Sequence, residues 1–338
     1  MARLVQALLS LFSGYKGQRR SLASKTADVA GNGSTGQSLS ESQDLAPEVE
    51  RLHAWLMGRQ GIDHGEHSIP ERAMLTELRH RIRDRRLSQI PLQPRVLPLL
   101  IRALGDERQS HRDIASIIVD EPALTDELLR VVNRSRGQSI DAHSIESVEQ
   151  AVLMVGFEGV RRAVSEAVMR PVMQSASRPG AGFARNVWHW GLLCANACDL
   201  LGQQQRDVGS DLFMIGLMPS LAYLSIYREL ESIAQDQSGN QPVPPPVLSE
   251  ALYRETGRML ERLVGAWQLP SRYGDHLREL HETPLGCARS TLSRGMILGT
   301  GEALRGAGRR TLLQKELVTV TDLEHRQLEH VQAGLKRA

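Results

Sequence analysis

Apolar side chains recur at helical spacing along most of the chain. In "PEVERLHAWLMGRQ", Val49, Leu52, Trp55 and Leu56 fall on one helical face. "IPERAMLTELRHRIRDRRL" opens with Pro70 near a helix start, and its stripe is Met74, Leu75, Leu78 and Ile82. "IPLQPRVLPLLIRAL" has prolines spaced to start and tighten a helix. In "SHRDIASIIVDEPALTDELLRVVNRS", Ser110 is placed to cap one helix with Asp113 three residues on, and Asp120 and Pro122 mark the start of the next. Val148, Ala151, Val152 and Val155 then share a face that Gly156 ends. No strand alternation and no internal repeat is found. The pattern predicts an all-α chain over residues 48–335, in two packed helical subregions meeting near residues 174–183.

Two stretches break the periodicity. Residues 18–46 are rich in Ser, Gly, Thr and Asn and nearly empty of large apolar side chains, so burial cannot offset their ordering entropy and a flexible linker is expected. Before it, residues 1–17 read as an amphipathic N-terminal helix. The basic residues here come mostly after the apolar segment, whereas a secretory signal wants them first and an A-x-A-like cleavage site, so a signal or surface anchor is the minority reading. The second break, "AQDQSGNQPVPPPVLSE", carries four prolines, and a loop over 235–246 is expected. One stretch keeps its apolar pattern yet holds a helix breaker. "DLFMIGLMPSLAYL" places Pro219 and Ser220 mid-helix, where proline removes a backbone donor at a cost of roughly 3 kcal/mol.

Composition narrows the class. The chain has 338 residues, enough for about two domains. Only 4% of residues are aromatic against 41% hydrophobic, which suits Leu/Ala-rich packed helices better than sheets. With 41 basic and 39 acidic residues the net charge is +2, so no dedicated nucleic-acid surface is expected. The three cysteines (Cys194, Cys198 and Cys287) make no CxxC pair and no disulfide framework, which fits a reducing, cytoplasmic compartment. No apolar run approaches the roughly 18 residues needed for a membrane span.

"IPLQPRV", "DEPALTDELLRVVNRS" and "SVEQAVLMVG" resemble, in order, the signatures of HDOD domains, the HD-related output domains of bacterial signalling proteins. Pro91 and Pro94, then Pro122, Ala123, Leu124, Thr125 and Asn133, then Ser147, Ala151 and Gly156 carry the match, with Glu121 and Arg134 as departures. "VWHWGLLCANACDLL", with Trp188, resembles the next family helix, "GLMPSLAYL" the family's Gly-Leu-Leu-His-Asp-Ile-Gly stretch, and "ETGRMLERLVGAWQLP", with Trp267, the segment near the domain's end. The resemblance implies a multi-helix HDOD domain over 88–285. A helical segment (47–87) would precede it, and C-terminal helices (286–338) would pack on it or extend it.

In catalytic relatives, the resemblance further implies, a His on one helix and a His-Asp pair on another hold a divalent metal that makes hydroxide for phosphate hydrolysis. Aligned through Trp188 and Ala195, the first position falls on Trp190 and the pair on Pro219 and Ser220. Indole offers only an N–H donor and proline no ligand at all. The Pro-Ser pair is thus read as an emptied metal site, where a kink is tolerable because no ligand is needed.

Other candidates are weighed against packing roles. His189 points about 100° away from the lost ligand position, so a partly exposed side chain is expected. Cys194 and Cys198 share a face and could join His189 or His276 around zinc, but buried small core residues are the stronger reading. His276, His281 and Glu282 resemble the paired histidines of HD-GYP phosphodiesterases, yet the histidines are five apart and diverge. His64 and His67 in "HGEH" are a weak metal suggestion. "RHRIRDRR" (79–86) is read as a solvated helix face, and Arg161 and Arg162 as potential phosphate contacts.

The reading that results is a non-enzymatic regulatory module acting on other signalling proteins, with no catalytic residue, metal or cofactor. A homodimer is compatible with the patterns. Two alternatives stay open: a phosphodiesterase or phosphohydrolase with unorthodox ligands, and a cyclic-dinucleotide sensor.

Overall fold

A computed structural model of the chain describes residues 45–63, 65–91, 103, 110–120, 122–135, 144–174, 180–204, 211–238, 241–281, 283–286 and 290–336. The expected N-terminal helix, nearly all of the expected linker, and Pro94, His64, Glu121, Glu282 and Cys287 lie outside these residues. Among the described residues the secondary structure is helical, with no strand.

Two N-terminal helices come first, α1 (Ala46–Leu56) and α2 (Ile69–Arg83). The expected stripe of α2 is buried in full: Met74, Leu75, Leu78 and Ile82. Its start is a capping box, in which the Ser68 backbone N–H donates to Glu71 at 2.8 Å and the Glu71 N–H points back at the Ser68 hydroxyl. In α1, Val49, Leu52 and Leu56 are buried, as are His53 and Ala54.

Next come α3 (His111–Val119), α4 (Pro122–Ser135) and α5 (Val148–Gln174), which pack on one another, with α5 also packing on the helices that follow. Ser110 caps α3 together with Asp113, as its spacing predicts. At Gly156 (φ 67°) α5 leaves helical geometry and restarts, so the chain turns where the sequence places a stop.

The centre is α6 (Ala181–Gln204), α7 (Leu212–Ser238), α8 (Pro245–Ala266), α9 (Ser271–Leu277) and α10 (Thr291–Gly306); α11 (Gln314–Thr321) and α12 (His325–Leu335) close the chain. From Asp211 to Tyr227 every residue of or beside α7 is buried. A helix apolar on all sides belongs in the middle of a bundle. That burial explains why α7 survives Pro219: it continues through the proline, and packing on all sides offsets one missing hydrogen bond.

Small residues let the central helices approach closely. A methyl group on Gly216 would lie 2.9 Å from the Ala195 backbone, and one on Gly299 2.6 Å from the Cys194 backbone. Both cysteine sulfurs face α10, at 3.8 Å from the carbonyl oxygens of Met296 (Cys194) and Leu292 (Cys198).

Two expectations need correction. The Pro-rich break is narrower than 235–246, because α7 runs on to Ser238 and α8 begins at Pro245. Good helix formers reach as far as Gln237, and proline is at home in a first helical turn. The basic run 79–86 is a solvated face only in its second half, where Arg83, Arg85 and Arg86 are exposed. Arg81, with 16% of its side chain exposed, reaches Glu77, Asp236 and the fully buried Glu229, and Arg79 reaches Glu250 and Glu255.

Candidate functional site

Trp190 projects from α6 into the centre of the bundle and is fully buried. Its indole N–H donates to the Thr300 hydroxyl on α10 at 2.9 Å, and its ring packs at 4.7 Å on Tyr223 of α7. Pro219 and Ser220 sit one turn before Tyr223 and are equally buried. The Ser220 hydroxyl donates to the Leu217 carbonyl at 2.6 Å, while its Cβ lies where a side chain on Gly191 would have to go. Of the three positions, one indole is committed to Thr300, one residue has no donor or acceptor side chain, and one hydroxyl is committed to the backbone. This group does not fit a divalent cation, which needs converging carboxylate or imidazole ligands. Among the described residues no cluster of three or more His, Cys, Asp or Glu could hold a metal.

A polar chain leads outward from this point. The Tyr223 hydroxyl lies 3.2 Å from His53 Nε2, and His53 Nδ1 lies 3.0 Å from the Ser249 hydroxyl. Burial pushes the Tyr223 phenol well above its ordinary pKa, with a smaller contribution from Cys194. His53 and Ser249 in turn line a cleft of about 450 Å³ between α1 and α8, with His67, Glu250 and Tyr253 at its wall.

The remaining sequence candidates are dispersed. His189 is exposed on its outer side and leans the edge of its ring on Trp55 at 6.2 Å; the partial desolvation lowers its pKa. Cys194 and Cys198 are buried core residues whose thiol pKa values are raised by desolvation. His67 pairs with Glu250 at 2.7 Å, and His281 with Glu261 at 3.4 Å. His276 lies on α9 and is not brought into a cluster with it. Arg162 pairs with Asp199 and stands over the Phe213 ring at 5.7 Å.

The motif positions turn out to be fasteners. The Thr125 hydroxyl donates to the Ile118 carbonyl at 2.9 Å, joining α4 to α3. Asn133 makes two bonds with the Ile145 backbone, each 2.9 Å. The Ser147 hydroxyl accepts from the Gln150 N–H at 3.4 Å, and Trp267 Nε1 donates to the Pro91 carbonyl at 2.8 Å. Leu124 and Ala151 are buried, Trp188 half-buried, and Pro122 opens α4. These side chains fix helix ends and crossings.

Sequence reasoning missed His53, Tyr223, Glu229 and Glu255. A signal existed for the acids. Glu229 lies three residues after Ile226 and one before Leu230, on the apolar flank of α7, and Glu255 lies three after Leu252 and four before Met259 in α8. An acid on the buried stripe demands a cation from elsewhere.

Comparison with known proteins bears on the family and the fold. A family model described as the HDOD domain matches residues 90–283. The uncharacterized protein YuxH of Bacillus subtilis (strain 168) is 25% identical over 138 residues, covering 40% of this chain and 32% of that protein. An uncharacterized protein of Treponema pallidum (strain Nichols) is 24% identical over 224 residues, covering 64% of this chain and 42% of that protein. The chain thus spans well under half the length of these relatives. Among solved structures, an HDOD domain protein of unknown function from Geobacter sulfurreducens gives a TM-score of 0.52 at 12% identity, over 78% of this chain and 89% of that one. A protein from Shewanella amazonensis SB2B, provisionally called a metal-dependent phosphohydrolase, gives 0.52 at 16% identity, over 79% and 100%. At such identities the likeness is one of fold.

Proposed function

The chain belongs to the HDOD-domain family, which is related to the HD phosphohydrolases, and on that premise we propose that it is a regulatory module without catalytic activity. In this reading it works by presenting a helical surface to another signalling protein. One observation carries the proposal: the positions aligned with the metal ligands of catalytic relatives hold Trp190, Pro219 and Ser220, and their polar atoms are already spent on Thr300 and Leu217. Hydroxide generation needs a cation held by several anionic or imidazole ligands, and a serine hydroxyl alone holds none.

The test is elemental analysis of the purified full chain combined with turnover assays on phosphodiesters, cyclic dinucleotides included. Metal well below one equivalent and no turnover above buffer are expected. About one tightly held iron, manganese or zinc per chain, with activity lost on chelation, would replace the proposal with the phosphohydrolase alternative. Restoring histidine at 190 and His-Asp at 219–220 should not create activity by itself, because further ligands are missing.

A further inference from the structure

We propose that the cleft between α2 and α8 is an anion site that takes a small phosphate monoester. The cleft encloses about 410 Å³, within the usual range for small-ligand pockets. Arg79, Arg83, Arg258 and Arg262 line it, with His80 and His281 at its sides, and Glu261 is the one carboxylate among its lining residues. The whole chain carries a net charge of +2, so this concentration is local.

Six arginines at or beside the cleft (Arg79, Arg83, Arg86, Arg254, Arg258 and Arg262) face four carboxylates (Asp84, Glu250, Glu255 and Glu261), so the site stays cationic. Arg79 (Nε, 3.1 Å) and Arg258 (Nη1, 2.9 Å) share one buried carboxylate, Glu255, although Arg79 also reaches Glu250. Arg262 donates to two backbone carbonyls, Ile82 at 2.8 Å and Arg83 at 3.2 Å, and pairs with no carboxylate among the described residues. Arg83 pairs with its neighbour Asp84. Holding α2 against α8 accounts for Arg79 and Arg262. It does not account for Arg83 and Arg258, whose side chains stay 69% and 62% exposed.

The surroundings narrow the ligand. Guanidinium forks match the paired oxygens of phosphate, and a doubly charged anion gains most from several of them. A second cleft of about 310 Å³ shares Glu261 and Arg262 with the first and continues along Leu87, Ile90 and Ala266. No Phe, Tyr or Trp ring lines either cleft, and the imidazoles of His80 and His281 offer a nucleobase only a small stacking surface. The pair fits a phosphate group beside a compact apolar substituent. This inference is independent of the regulatory reading, which concerns the interior around Trp190.

Titration calorimetry of the full chain at low salt, with inorganic phosphate and with phenyl phosphate, tests the proposal. One saturable site of millimolar affinity or better is expected, about threefold to tenfold tighter for phenyl phosphate because its ring covers the apolar wall. Arg83→Ala with Arg258→Ala should weaken binding at least about tenfold while the melting temperature stays close to that of the parent. Should the double variant melt low, Arg83→Ala alone serves, since Arg83 bonds through its side chain only to Asp84 among the described residues. Absence of saturable binding, or equal affinity in the variants, overturns the proposal. Tighter, variant-sensitive binding to phosphatidic acid vesicles or to a polyglutamate peptide overturns the small-molecule assignment in favour of a membrane or an acidic chain.

Discussion

Where α6 meets α10, glycine lies against cysteine: Gly295 and Gly299 abut Cys198 and Cys194 with no room for a methyl group. Where α2 meets α7 and α8, the contact is ionic, with Arg81 reaching Glu229 and Arg79 reaching Glu255. Both seams attach helices lying wholly outside the family match at 90–283, α10 on one side and α2 on the other. They differ in what they tolerate. The α6–α10 seam depends on shape, so it is indifferent to salt and intolerant of volume. The α2 seam has room for side-chain adjustment but cannot lose a charge, because a carboxylate already desolvated on α7 has no water to fall back on. The match boundaries are therefore not folding boundaries. A fragment cut to 90–283 would bare the α6 face, strip Arg81 from Glu229 and leave Glu255 with Arg258 alone.

The contrast breaks first if the shape-dependent seam accepts bulk. Gly299→Leu places four carbons where the Cys194 backbone stands, 2.6 Å from the first of them. The cost should exceed the roughly 1–3 kcal/mol of ordinary overpacking, because backbone cannot rotate away as a side chain can. Loss of a cooperative melt, unchanged between low and high salt, is the expected readout. A variant with a near-parental melting temperature would show that the two helices are not in close contact.

The ionic seam is next in size. Arg81→Ala leaves Glu229 with the Gln89 N–H at 2.6 Å and no neighbouring guanidinium among its hydrogen bonds. Removing one partner of a buried pair costs about 3–5 kcal/mol. Urea denaturation should show the loss, and adding Glu229→Gln to Arg81→Ala should recover part of it. A double variant no more stable than the single would mean that Arg81 acts through Asp236 and Glu77 instead.

The two seams were also unequally legible. Helix-period patterning exposed the buried stripes of α1 and α2 and the cap at Ser110, since these depend on residues three and four apart. That Trp190, Pro219 and Ser220 carry no carboxylate or imidazole could be read from residue type alone. The partners of Glu229 and Glu255 could not, because Arg81 and Arg79 lie 148 and 176 residues away in sequence. A run of five arginines and a histidine looks solvated throughout until the acids facing Arg79 and Arg81 are placed. His53 was hidden for the same reason: its hydrogen-bond partners Tyr223 and Ser249 come from helices beyond residue 210.

The smallest expected effect separates the seams by pH. Glu71 belongs to the charged side: it accepts from the Ser68 backbone N–H at 2.8 Å and from the Ser68 hydroxyl at 2.9 Å at the start of α2. Those two bonds, the backbone one foremost, lower its pKa from the ordinary value of 4.5, and His67 lowers it a little further. A carboxyl whose pKa falls on folding contributes its full stabilisation above the unfolded value and loses it as pH drops through the folded one. The box should thus be intact at neutral pH and weaken only below about pH 4.5. Ser68→Ala should cost about 1 kcal/mol near pH 7, as cap removals do. Glu71→Ala should destabilise there as well, with the difference from the parent shrinking below pH 4.5 as the parent's own carboxyl takes up its proton. Gly299→Leu should show no such convergence, since nothing at its contact titrates in that range. A Glu71→Ala deficit that persists at full size to pH 3 would show that the side chain supports α2 by packing rather than by charge.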